Sequence, residues 1–190
     1  MDLEQRLSAP AADYVTPPGF MAIDYEVTLQ RLEARDASSF YQLVDDNRAF
    51  LAGTLDWVSK YSHAQAVVEV KAMAAATEAG TRAPYKVLYE GKPVGFVNLH
   101  TRTDRQSQMG YWLAKQAQHK GIMSRATEGL RDFGFSQWGL EVINLHIRPD
   151  NEPSKRIAKQ LGASMISMTK NANSGRLTEY EVWSLDKHDW

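Results

Sequence analysis

Cysteine is absent from this chain of 190 residues, which excludes disulfides, thiolate nucleophiles and sulfur-based zinc sites. No apolar run approaches the roughly twenty residues that a membrane-spanning helix needs. The opening stretch MDLEQRLSAPAADYV is too polar and acidic for a secretory signal, so the expected location is the cytoplasm. An excess of either charge is missing too, since 22 Lys and Arg against 23 Asp and Glu leave a net charge of −1. That balance argues against a nucleic-acid partner, which would need a basic field. What remains is an ordinary globular mixture, 43% hydrophobic and 24% charged, long enough to bury one sizeable core.

Residues 1–20 end in YVTPPGF, whose paired prolines and glycine predict an extended arm ahead of a single domain over 21–190. MAIDYEVTLQRLE alternates apolar and polar positions and predicts a first strand. A helix follows from Asp36, its cap, with Phe40, Leu43, Val44 and Leu51 on one face. A second helix starts at Ser62, where Gln65 three residues on completes a capping-box pattern. YKVLY and VGFVNLH read as a hairpin closed by EGKP, and QMGYWLA as the next strand. After it a helix carries Met123, Ala126, Leu130 and Phe133 on one face. EVINLHI is a buried strand, and PDNEPSKRIAKQLGA is a short helix ended by Gly162. Two strands, about 164–170 and 177–185, close the chain around the turn NANSG. Seven strands and four helices in this irregular order predict an α/β (α+β) fold with a mixed sheet flanked by helices.

The chemistry is concentrated in AQHKGIMSRA, residues 117–126, between the GYWL strand and a helix. A strand-to-helix turn of Gln, His, Lys and Gly with no acidic residue offers backbone N–H groups and positive charge at a helix N-terminus. An anion is stabilised at such a place.

The run GYWLAKQAQHKGIMSRA, together with the spacing N-x-x-S in LHIRPDNEPS and the Leu-Gly after it, resembles the GCN5-related N-acetyltransferase (GNAT) superfamily. Within it the chain is similar to the RimJ/RimL-type branch, which acetylates ribosomal-protein N-termini, over about residues 22–190. The resemblance implies a mostly antiparallel sheet splayed between its fourth and fifth strands, with acetyl-CoA as cosubstrate and no metal. It implies that Gln118, His119, Lys120, Gly121, Ile122, Met123 and Ser124 wrap the pyrophosphate, with Arg125 near the charge. Trp112, Leu113 and Ala114 would follow the pantetheine arm, and Asn151 and Ser154 would complete the cofactor site. The family places Gly or Ala where this chain has Met123, a side chain that must either fit against the phosphates or turn inward.

Acetyl transfer to an amine needs the ammonium to lose a proton, donors for an oxyanion and an acid for the departing thiolate. By resemblance, backbone N–H groups near Leu113 serve the oxyanion. Ser154 is the candidate acid, because the helix tyrosine of other members has no counterpart in RIAKQLGA. Asn151 either bonds across the gap or caps its helix. The base is not evident, since Ser107 and Gln108 stand where related sequences carry Glu, and Ala163–Ile166 holds no carboxylate. His100 and His146 are substitutes that titrate near neutrality, and Asp56, Trp57 and Gln108 are candidates for holding the acceptor. The implied activity is an acetyl-CoA-dependent N-acetyltransferase acting on a protein N-terminus or a small amine. A CoA-binding regulatory module is the alternative, and the apolar strands of the tail leave room for a homodimer.

Overall fold

The structure, a computed structural model, describes residues 15–103, 105–173 and 176–190. Most of the expected arm and the tip of the NANSG turn therefore lie outside the described residues.

The expected first strand is two. Asp24 Oδ1 accepts from the backbone N–H groups of Glu26 and Val27 at 2.8 and 2.7 Å, an Asx turn that folds MAIDYEVTLQR into a hairpin. Its strands are β1 (Phe20–Ala22) and β2 (Val27–Arg31), paired antiparallel. The last part of the expected arm is tied to the sheet, because Pro17 and Pro18 carbonyls accept from Arg31 and the Tyr85 hydroxyl.

The first helix also breaks in two, α1 (Ala37–Asp46) and α2 (Arg48–Leu51), at the buried Asn47. Asp36 begins α1 without capping it, since its carboxylate accepts from the Glu33 N–H and from Lys86 instead. The capping box of α3 (His63–Glu78) is present, with Ser62 and Gln65 bonded reciprocally. The hairpin β3 (Arg82–Tyr89) and β4 (Lys92–Thr103) turns at Glu90 and Gly91, both with positive φ. The remaining elements are β5 (Gln106–Leu113), α4 (Ile122–Ser136), β6 (Val142–Ile147), α5 (Glu152–Gln160), β7 (Ser164–Asn173) and β8 (Arg176–Asp186).

The described residues thus form eight strands, ordered β1-β2-β3-β4-β5-β6-β8-β7, and five helices. Every neighbouring pair is antiparallel except β5 with β6. One core lies where α4 covers the sheet, with Leu130, Ala126 and Val97 fully buried. The other lies under α1 and α3, where Phe40 meets Phe96 and Trp112 edge-on at 5.3 and 5.8 Å. Among the described residues no helix is long and apolar enough to cross a membrane.

Candidate active site

The sheet opens between its fifth and sixth strands. β5 pairs with β6 only from Gln106↔Val142 to Gln108↔Asn144, although both strands run on. Each is committed to its other neighbour: β5 to β4 as far as Leu113↔Gly95, and β6 to β8 as far as Ile147↔Glu181. The splay falls one strand later than the expected count because the first strand is divided.

The register decides what the opening exposes. Ala114 N–H donates to Val94 O at 2.8 Å, which assigns the even-numbered residues of β5 to the β4 ladder. Tyr111 and Leu113 therefore turn their backbone N–H groups toward the splay. The Leu113 carbonyl is taken by the Gln118 side chain at 2.9 Å, which ties the following loop to the strand end. From the other side, Asn47 Oδ1 accepts the Lys115 N–H at 3.0 Å while its Nδ2 donates to Leu43 O at 2.9 Å. A polar residue on the apolar stripe of Phe40, Val44 and Leu51 was the sequence signal for this anchor.

Beyond that anchor the chain forms a row of open donors. Gln118 N–H still bonds to Lys115 O, but among the described residues no acceptor takes the N–H groups of His119 through Ser124. The first closed turn of α4 is Arg125 N–H to Gly121 O. His119 and Gly121 both have positive φ, 62° and 67°, and at Gly121 a side chain would be strained. Successive amides in such a loop at a helix start form an anion cradle, which fits a pyrophosphate. Met123 resolves the family departure by turning inward, where it is buried against the core. Arg125 is not free to screen phosphate, because it is ion-paired with Asp24 at 2.7 Å and Glu26 at 3.0 Å. Lys120 lies over the Tyr89 ring, 4.9 Å from its centre.

Two cavities meet in the splay. One, of about 140 Å³, lies on the loop side and is lined by Trp112, Leu113, Gln118 and Met123. The other, of about 160 Å³, lies toward β8 and is lined by Asp56, Trp57, Gln108, His146, Arg148 and Tyr180. Thr54, Leu55, Tyr111, Asn151 and Ser154 line both. Asn151 caps α5, its Oδ1 accepting the Ser154 N–H at 3.2 Å. The Ser154 hydroxyl makes no hydrogen bond among the described residues and stands free at the junction. The Tyr111 hydroxyl donates to Ser154 O at 3.4 Å, and burial pushes its phenol up to about 12, so it keeps its proton at neutral pH.

The β8-side cavity has one carboxylate in its lining, Asp56, which accepts from Thr178 at 2.9 Å and pairs with Arg148 at 3.5 Å. Arg148 also pairs with Asp150 at 2.8 Å, which, with Asp56, keeps it charged. The segment holding Asp56 and Trp57 is fixed by Arg48, whose guanidinium donates to the carbonyls of Val58 and Tyr61. Of the pair standing where related sequences carry Glu, Gln108 faces this cavity, while Ser107 is buried on the opposite face of the strand. His100 is exposed on β4 beside Gln108, one strand further from the opening, and lines neither cavity. Sequence reasoning missed Arg148, Thr178 and the Tyr111 side chain, and no local pattern marks the first two.

An opened sheet beside an anion cradle fits the acyl-CoA enzyme class that the resemblance implies, and comparison with known proteins agrees. The acetyltransferase (GNAT) domain model matches residues 26–164, and the chain belongs to that family. Proteins similar to it include members of the RimJ/RimL-type branch. YdaF of Bacillus subtilis, whose name places it with the ribosomal N-acetyltransferases, is 26% identical over 180 residues, covering 88% of this chain and 95% of its own. The RimL ribosomal L7/L12 α-N-protein acetyltransferase bound to coenzyme A superposes with a TM-score of 0.81 at 19% identity, covering 88% of this chain and 97% of its own. The microcin C7 self-immunity acetyltransferase MccE, bound to acetyl-CoA and AMP, gives 0.79 at 19% identity over 90% of this chain and 98% of its own. The chain is an acetyl-CoA-dependent N-acetyltransferase, and the alternative of a regulatory CoA-binding module has no support among these relatives.

Proposed function

We propose that the loop-side cavity holds acetyl-CoA and the β8-side cavity receives the α-amine of a polypeptide, with a small-molecule amine as the second acceptor class. The observation that carries this reading is the meeting of the two cavities at Tyr111, Asn151 and Ser154, with open amides at one end and Asp56 at the other. Bound acetyl-CoA supplies an acyl group activated as its thioester. The N–H groups of His119 to Ser124 hold the diphosphate, helped by the positive end of α4. The edge amides of Tyr111 and Leu113 align the pantetheine arm as an added strand and face the acyl oxygen. Trp112 packs behind them, and Ala114 ends that edge.

Asp56 attracts the incoming ammonium and orients it toward the junction, with Trp57 and Gln108 shaping its approach. The Ser154 hydroxyl donates toward the departing sulfur, with the Tyr111 phenol holding the Ser154 carbonyl beside it. An α-amine has an ordinary pKa near 8 and is partly neutral at physiological pH, so positioning carries more of the rate than a dedicated base. His146, within the cavity lining, is the residue through which a proton would leave, and His100 lies outside that lining.

The names of the relatives support a ribosomal or other polypeptide acceptor and a cytoplasmic place of action. The likeness to MccE, a microcin C7 self-immunity enzyme bound to AMP as well as acetyl-CoA, favours the small-molecule reading. A homodimer is supported by the free edge strand β7, where Met165, Ile166 and Met168 are exposed. Thiol release from acetyl-CoA, measured across peptides, amino acids and polyamines, tests the acceptor. Preference for peptide N-termini is expected, and turnover of free amines alone would overturn that assignment.

A further inference from the structure

The β8-side cavity does not stand alone. Its Trp57 also lines an open groove of about 770 Å³ running along the outer face of α3. Ala64, Gln65 and Val68 form one side of that groove, and Ala64 and Val68 are one helical turn apart. Trp57 and Tyr61 form the other, their rings edge-on with centres 4.8 Å apart. Val68 is 70% exposed, whereas Ala66, Val70 and Met73 of the same helix are buried. The groove is therefore mostly carbon, and its charged groups are few: Lys60, and Glu69, which accepts the Tyr61 hydroxyl at 2.8 Å.

We infer that this groove receives the polypeptide that follows the reacting α-amine, docking its apolar side chains a few residues beyond the N-terminus. The inference rests on the acceptor assignment above and narrows it to a polypeptide substrate. Continuity is the first argument, since Trp57 lines both spaces and follows Asp56 directly in the chain. Spacing is the second. Ala64 and Val68 are separated by about 6 Å along the helix. Alternate side chains of an extended peptide point the same way about 6.6 Å apart, so two of them match one helical turn. A free amino acid has nothing to place there.

The test uses the whole protein saturated with CoA, which binds without transfer. Three probes share an N-terminal dipeptide: the dipeptide itself, an octapeptide with Leu at its third to sixth positions, and one with Ser there. The Leu octapeptide is expected to bind roughly ten-fold more tightly than either of the others. Val68→Glu, a change at an exposed helical position that glutamate suits, should remove that difference and leave CoA affinity unchanged. Equal binding of all three probes, or a difference that survives Val68→Glu, would overturn the groove assignment. Thiol release is read separately. A peptide preference in binding without release would keep the groove and remove the polypeptide as acceptor, whereas release with equal binding would do the reverse.

Discussion

The two halves of the opening are built from different materials. On the loop side the chemistry belongs to the backbone: the amides of His119 to Ser124 and the edge of β5 at Tyr111 and Leu113. On the β8 side it belongs to side chains drawn from three distant segments: Asp56 from the stretch before α3, Arg148 from the end of β6, and Thr178 from β8. A backbone site needs only a conformation, and a conformation is written locally in a few residues, above all Gly121. A side-chain site needs partners brought together by the whole fold.

That contrast predicts unequal responses to substitution. The largest is expected from Gly121→Glu. It forces a side chain into a φ of 67° and sets a carboxylate beside the diphosphate, which should weaken acetyl-CoA binding about a hundred-fold or more by calorimetry. Undiminished affinity would remove the cradle from the loop. A smaller effect, confined to the acceptor, is expected from Asp56→Asn. The Michaelis constant for the amine should rise about ten-fold, in line with loss of one charged hydrogen bond. Acetyl-CoA affinity should stay within about two-fold, since Asp56 is absent from the lining of the loop-side cavity; a matching loss there would mean that the halves act as one site.

The same contrast accounts for what the sequence made legible. The Ser62–Gln65 capping box, the Glu90–Gly91 hairpin and the buried stripe Met123, Ala126, Leu130 and Phe133 are local patterns, and each appears where the sequence puts it. The two broken elements were also decided by single side chains. Asp24 folds the first strand back through two backbone bonds, and Asn47 interrupts the first helix to hold the chain beyond β5. Both were visible as residues, but periodicity reports neither the local turn that Asp24 makes nor the partner of Asn47 across the fold. Ser154 shows the converse. A serine in a first helical turn commonly bonds to backbone, yet Asn151 does the capping and leaves the Ser154 hydroxyl at the junction. Arg148 follows an ordinary buried strand, so nothing nearby marks it as the partner of Asp56.

The most direct test of the account is amide hydrogen exchange over residues 118–125 with and without acetyl-CoA. The open N–H groups of His119 to Ser124 should be slowed strongly on binding, more than any other surface segment. Protection elsewhere with no change in that loop would show that the cradle does not hold the cofactor.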